Sequence, residues 1–116
     1  MIASEKDPAS ITGYHAHIYY DDATKPFAAA LRELLTQNFD LRMGRWRDEP
    51  VGPHTKAMYQ VAFAPELFSA LVPWLALNHG DLSVFIHPET GRERADHLEH
   101  ALWLGEKLPL KPEALD

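Results

Sequence analysis

The sequence predicts an α+β fold of the ferredoxin-like type, an antiparallel sheet carrying its helices on one face. Three observations lead to it. Four short segments alternate apolar and polar residues with the period of a strand, or run apolar with β-branched and aromatic residues. Two longer segments between them carry helical apolar stripes. Their order is β-α-β-β-α-β, followed by a short C-terminal helix.

Residues 1–12 are polar and read as a leader. The opening MIASEKDPAS has no apolar h-region, so no signal peptide is expected. GYHAHIYY (13–20) is the first strand: Tyr14, Ala16, Ile18 and Tyr20 share one face, and His15, His17 and Tyr19 the other. Asp21 and Asp22 end it. Thr24 is the expected N-cap of a first helix, with Lys25-Pro26 in its first turn and Phe27, Leu31, Leu34 and Leu35 on its apolar stripe. LRMGRW (41–46) reads as the second strand and RDEPVGPH (47–54) as a loop rich in Pro and Gly. AMYQVAF (57–63) is the third strand. Pro65 opens the second helix, which Pro73 is expected to kink or divide and which Asn78, His79 and Gly80 stop. DLSVFIHP (81–88) is the fourth strand, with Leu82, Val84 and Ile86 on one face and Ser83, Phe85 and His87 on the other. Residues 95–104 are expected to form a third helix with His97 and His100 on one side. The tail 109–116 reads as irregular, leaving 13–108 as one domain.

The chain has 116 residues, 46% of them hydrophobic, which is enough for one core. It has no cysteine, which excludes disulfides, thiolate metal sites and a cysteine nucleophile. No apolar run is long enough to span a membrane. A cytoplasmic location is compatible with both. The net charge is −6, and the one basic cluster, Arg42, Arg45 and Arg47, runs straight into Asp48 and Glu49. That argues against a nucleic-acid partner, although such arginines also suit a small carboxylate or phosphate. There is no Walker loop, GxGxxG, HExxH or GxSxG.

Seven histidines stand out, where roughly two or three would be ordinary for this length. In the inferred topology the strand order is 4-1-3-2, so the first and fourth strands are antiparallel neighbours. His15, His17, Tyr19, Ser83, Phe85 and His87 then share the face away from the helices, joined by Gln60 from the third strand. His15, His17 and His87 converge. Such a trio suits a first-row transition metal such as iron, zinc or copper; the alternative is that His15 and His17 are hydrogen-bonded polar residues at a dimer interface and His87 only ends a strand. An open face with aromatics needs a cover, and a homodimer forming an α+β barrel is the expected one. His54 either reaches over the pocket or lies at the surface. Asp96 either orients an imidazole or caps its helix. His97 and His100 are outer-shell groups, a proton relay or exposed side chains. His79, at a helix end, reads as structural.

YHAHIYYD (14–21), VGPH (51–54), MYQVAF (58–63), LSVFIHPETG (82–91) and DHLEHALWLGE (96–106), in this order and spacing, resemble the DOPA 4,5-dioxygenase family over residues 13–108. The family loop often reads GPHP; here Thr55 follows His54. The resemblance implies an extradiol ring-cleaving dioxygenase that acts with O2 on a catechol such as DOPA at a histidine-bound Fe(II), with zinc or another divalent metal as a substitute in the purified protein. It implies His15, His17 and His87 as metal ligands, with His54 next in line, and His54 or His97 as the acid/base group. Tyr19 and Phe85, with Trp103, would pack the ring, and Arg45 would hold a side-chain carboxylate; core packing is the alternative for each aromatic. The usual ferrous pattern of two histidines and one carboxylate lacks its carboxylate on the predicted open face, where Glu89 and Asp96 are nearest. Two other functions compete: a non-catalytic metal- or small-ligand-binding dimeric domain, and a metal-free monooxygenase or isomerase.

Overall fold

A computed structural model describes residues 5–115. The first four residues of the expected leader and the last residue of the tail lie outside it. The chain runs β1 (Gly13–Tyr19), α1 (Lys25–Asn38), β2 (Arg42–Met43), β3 (Met58–Phe63), α2 (Phe68–Asn78), β4 (Val84–Glu89), α3 (Glu93–Leu98) and β5 (Leu102–Leu104). The sheet order is β2-β3-β1-β4-β5, antiparallel throughout. This is the ferredoxin-like α+β fold with one extra edge strand. No helix among the described residues is long and apolar enough to cross a membrane.

Alternation sorts the side chains into two layers. Ala16, Ile18, Val61, Val84 and Ile86 face the helices and meet Leu31, Leu35, Leu71 and Leu75, all buried. Burying each of the larger aliphatic side chains contributes about 1.5–3 kcal/mol relative to exposure. β1 is the central strand, hydrogen-bonded to β3 and to β4, and the register pairs His15 with His87 and with Ala62.

Four local expectations are corrected. Thr24 does not cap α1 with its side chain, because its own backbone is already helical (φ −98°, ψ −7°). Asp21 holds the entry instead: its Oδ1 accepts from the Thr24 N–H at 2.9 Å and the Thr24 hydroxyl at 3.0 Å. The second strand shrinks to Arg42–Met43, with only a bridge from Arg47 to Met58 beyond it. Pro73 does not divide α2. Pro65–Leu67 form a 3-10 turn, α2 then runs unbroken through Pro73, and Leu71 and Leu75 on either side of it are buried. Pro73 removes one donor from the middle of the helix, and the packing of Leu71 and Leu75 outweighs that loss.

The third helix is also shorter than expected. It ends at Leu98, and Leu102–Leu104 pair with Val84–Ile86 as β5. Left unpaired, that edge of β4 would expose backbone donors and acceptors, and pairing outweighs the weak helical pattern of the segment.

Gly105 (φ +78°) then reverses the chain, in a position where a Cβ would come within 2.9 Å of the Leu82 carbonyl oxygen. The C-terminal segment returns across the open face as a strap. Leu108 and Leu110 pack with Tyr19, Met58, Phe85 and Trp103 into a second small core. Part of the cover that the open face needs is therefore supplied by the chain itself.

Candidate metal centre

On the open face the sheet presents two rows of residues. One runs Arg42, Ala62, His15, His87; the next runs Gln60, His17, Phe85, Trp103. Period-two alternation along β1 and β4 thus brings the predicted trio together. One nitrogen from each of His15, His17 and His87 lies within 4.8 Å of the others. His17 Nε2 and His87 Nε2 are 3.1 Å apart. Two adjacent ligands with metal–nitrogen bonds of about 2.1 Å at right angles stand about 3 Å apart, so this spacing fits one shared ion.

The outer nitrogens are held by oxygen. His15 Nδ1 contacts Glu89 Oε1 at 2.7 Å. His87 Nδ1–H donates to the Pro88 carbonyl at 3.0 Å, which leaves Nε2 as a bare lone pair facing His17. His97 Nδ1–H donates to the Glu93 carbonyl at 2.7 Å, with the same consequence for its Nε2. Carboxylate or carbonyl partners behind the imidazoles are what metal-binding histidines use to fix their tautomer. His17 Nδ1 is buried without a hydrogen-bond partner, so its ring is not locked by protein contacts alone. This donor set fits a divalent transition metal.

Electrostatics favours neutral rings. Burial, then the neighbouring imidazoles, holds His17 well below the ordinary histidine range. Burial and then His97 lower His87 to about 3 and His54 to about 4. His15 is lowered by burial, then by His97 and Arg42, while burial and then Asp96 raise Glu89. The His15–Glu89 contact is therefore a hydrogen bond from a neutral imidazole rather than a full ion pair.

A cavity of about 320 Å³ lies at these rings, lined by His15, His17, His87, His97 and His54 together with Arg45 and Arg47. The loop 51–55 brings His54 to within 4.2 Å of His17 between ring centres. The His97 ring lies 3.8 Å from that of His87 between centres, tilted by 32°. Arg45 and Gln60 line the cavity.

Tyr19 and Phe85 lie behind the histidines and do not border the cavity. The Tyr19 hydroxyl is 2.7 Å from His54 Nδ1. Phe85, fully buried, packs against Trp103 at 4.5 Å and supports His17, His87 and His97. His100 is exposed and separated from buried His97. His79 Nδ1–H donates to the Leu82 carbonyl at 2.8 Å, a structural contact. Asp96 touches no imidazole by hydrogen bond; its carboxylate accepts from Thr90 N–H at 2.8 Å and Thr90 Oγ1 at 2.6 Å, closing the turn into α3.

Glu89 is the carboxylate that ending the fourth strand at Pro88 leaves off the open face. β4 extends to Glu89, and continuing the parity of Phe85 and His87 by one step places it there. The strap is the other unforeseen part: Lys111 N–H donates to the Pro53 carbonyl at 2.8 Å, Leu110 bridges His54, and the Thr55 hydroxyl donates to the Pro109 carbonyl at 2.8 Å. Thr55, where the related loop often has proline, ties the His54 loop down by a hydrogen bond instead.

Residues 14–114 match the sequence pattern of the Dopa 4,5-dioxygenase family. The chain belongs to the Dopa 4,5-dioxygenase family. Among its relatives are an uncharacterized 21.2 kDa protein of Botryotinia fuckeliana, 41% identical over 84% of this chain and 60% of that protein, and a DOPA 4,5-dioxygenase of Amanita muscaria, 30% identical over 88% of this chain and 49% of that enzyme. The chain thus spans half to three-fifths of the length of these curated relatives. A solved structure of a candidate dioxygenase from Nostoc punctiforme superposes with a TM-score of 0.94 at 48% identity, covering 95% of this chain and 96% of that one. Family membership and fold place the chain among dioxygenase-like proteins.

Proposed function

We propose that the protein is an extradiol dioxygenase that cleaves the ring of a catechol such as DOPA with O2 at an Fe(II) held by His15, His17 and His87. The observation that carries this reading is the convergence of these three neutral imidazoles, with the outer nitrogens of His15 and His87 anchored on oxygen, at the floor of a cavity of about 320 Å³. Ferrous iron, when bound, supplies activation of both the catechol and O2. Zinc or another divalent metal can take the same nitrogens.

The chain's own residues do the rest. His54, neutral at physiological pH and borne on a tethered loop, accepts a proton from a catechol hydroxyl. His97, its Nδ1–H fixed by the Glu93 carbonyl, presents Nε2 as the second proton acceptor or, once protonated, as the acid. Arg45 at the cavity wall holds a substrate carboxylate. Tyr19 and Phe85 act from behind, Tyr19 by orienting His54 and Phe85 by fixing the imidazole rings. Glu89 holds His15 and is the nearest carboxylate to the cluster, so it belongs to the metal's environment.

Residues 13–108 form the catalytic domain in this reading, with the tail completing it. A cytoplasmic homodimer, whose partner covers the part of the open face that the strap leaves free, fits the composition. Nucleic acid and membrane are not partners in this reading, consistent with the net charge of −6.

The test is anaerobic reconstitution with Fe(II), addition of DOPA or other catechols, and admission of O2. Ring cleavage gives stoichiometric O2 uptake and a new yellow semialdehyde absorbance. No uptake across a catechol panel refutes the reading, and tight metal binding without turnover then supports a non-catalytic metal-binding domain.

A further inference from the structure

The arginines Arg42, Arg45 and Arg47 span β2 and the bridge beyond it. In an unbroken strand, successive residues face opposite sides of the sheet, so Arg42 would lie across the sheet from Arg45 and Arg47. The hydrogen bonds show a different path. Arg42 pairs with Ala62 and Met43 with Val61. Gly44 N–H donates to the Gln60 carbonyl at 2.7 Å, and Arg47 and Met58 exchange bonds of 2.9 and 3.0 Å. Arg45 and Trp46 together therefore stand against Tyr59 alone. One extra residue on one strand is a β-bulge, which re-aims the side chains around it.

The bulge divides the segment. Arg45 and Arg47 line the histidine cavity, while Trp46 packs on the core beneath the sheet. There Trp46 meets Tyr20 and Tyr59 edge-on, with ring centres 5.2 and 4.9 Å away. Lys25 Nζ and the Arg32 guanidinium carbon lie over its ring at 5.2 and 5.4 Å. Asp48, which follows the arginines in sequence, is engaged with the same group: its Oδ1 accepts from the Tyr20 hydroxyl at 2.6 Å and from Lys25 Nζ at 2.8 Å. Arg45 and Arg47 take part in none of the ion pairs among the described residues. Of the carboxylates lining their cavity, Glu89 is engaged by His15, and Glu93 is exposed at the start of α3. Arg42 differs, because it lines the neighbouring cavity of about 530 Å³ together with Asp40. Two guanidiniums thus face one uncommitted carboxylate in the histidine cavity, a balance that favours an anion, and guanidinium geometry suits a carboxylate.

We infer that Arg45 and Arg47 form a two-guanidinium seat for the carboxylate tail of the aromatic substrate, presented by the bulge and pinned by Trp46, so that the protein selects rings with a net negative tail over neutral or cationic ones. The inference deepens the dioxygenase reading and takes its catechol ring from it. Arg47 joins Arg45 as a specificity residue, and Trp46 is a positioning residue that acts through both.

Calorimetric titration of the zinc-loaded protein measures binding without turnover. Four ligands share the ring: dihydrocaffeate, DOPA, dopamine and, as the neutral reference, methylcatechol. Dihydrocaffeate is expected to bind about tenfold tighter than methylcatechol, DOPA no tighter than dihydrocaffeate, and dopamine no tighter than methylcatechol. Arg45→Gln and Arg47→Gln should each reduce the preference for dihydrocaffeate about fivefold with the affinity for methylcatechol unchanged, whereas Arg42→Gln should leave both as they are. Trp46→Leu should reduce the preference and Trp46→Phe restore it; should Trp46→Leu fold poorly, the arginine variants decide. Equal affinity for dihydrocaffeate and dopamine overturns the inference, as does tighter binding of DOPA than of dihydrocaffeate, or a preference that survives in both arginine variants. The expected preference in a protein that, loaded with Fe(II), takes up no O2 on any of the four overturns the ring-cleavage reading and leaves the anion seat standing.

Discussion

The Tyr19 hydroxyl and His54 Nδ1 lie 2.7 Å apart, both residues buried, at the junction of the central strand and the loop 51–55. A tyrosine that reads as a ring-packing residue is in fact the support of a histidine. Tyr19→Phe leaves the shape and removes this bond, stranding a buried imidazole nitrogen at a cost of about 1–3 kcal/mol. The expected result is a clear loss of stability by denaturant titration. Turnover should fall more through kcat than through KM for the catechol, because His54 loses its orientation.

Thr55 makes a sharper case, since its hydroxyl links this loop directly to the Pro109 carbonyl of the strap. Thr55→Val is nearly isosteric and cannot donate. It should cost about 0.5–1.5 kcal/mol and lower kcat, while Thr55→Ser should restore both. Equal kcat in Val and Ser variants would show that the strap does not position His54.

Acid should unfold the metal-free protein early. His87 and His54 are lowered to about 3 and about 4 in the folded state, against about 6.5 for a free imidazole. Between those values the unfolded chain binds protons that the folded one refuses, so stability is full above about pH 6.5 and declines as the pH falls toward the folded values. Each such imidazole contributes a slope approaching roughly 1.4 kcal/mol per pH unit. Urea midpoints between about pH 7.5 and 4.5, a window set by the free imidazole value, would measure it. A flat profile in the wild type would contradict the buried neutral rings.

Metal should act in the opposite sense, stabilising the fold by about 2.7 kcal/mol at a concentration roughly one hundred times its Kd. Loss of His17 should abolish the rise in Tm with Fe(II) or Zn(II) if it is a ligand. Glu89→Gln should weaken metal binding about 10–100-fold through His15, which calorimetric titration can follow independently of catalysis.

Much of the site is legible in the sequence because alternation is a strong constraint. His15, His17, Phe85 and His87 share a face once β1 and β4 are recognised as antiparallel neighbours, and the β-α-β-β-α-β order implies that adjacency. Glu89 escapes for want of one residue of strand: Pro88 reads as a stop, yet it lies in β4 and is followed by a residue on the histidine face. β5 is hidden because LWL is too short to have a period, and only the open edge of β4 selects strand over helix. The strap carries proline and lysine with no repeating pattern, so its docking follows from hydrogen bonds to Pro53 and Thr55 that no local signal announces. The Tyr19–His54 bond joins a strand to a loop, and loop paths depend on tertiary contacts rather than on spacing.

The central place of β1 has a kinetic consequence. Its amides are paired on both sides, to β3 and to β4, and such protons exchange with solvent chiefly when the whole molecule opens. The strand that carries His15 and His17 is thus in the slowest-opening part of the protein. An ion bound there has no local unfolding route of escape through β1, so its residence time is bounded by exit over the loop and strap or by global unfolding, and a mutation that loosens the strap should shorten that residence without moving a ligand.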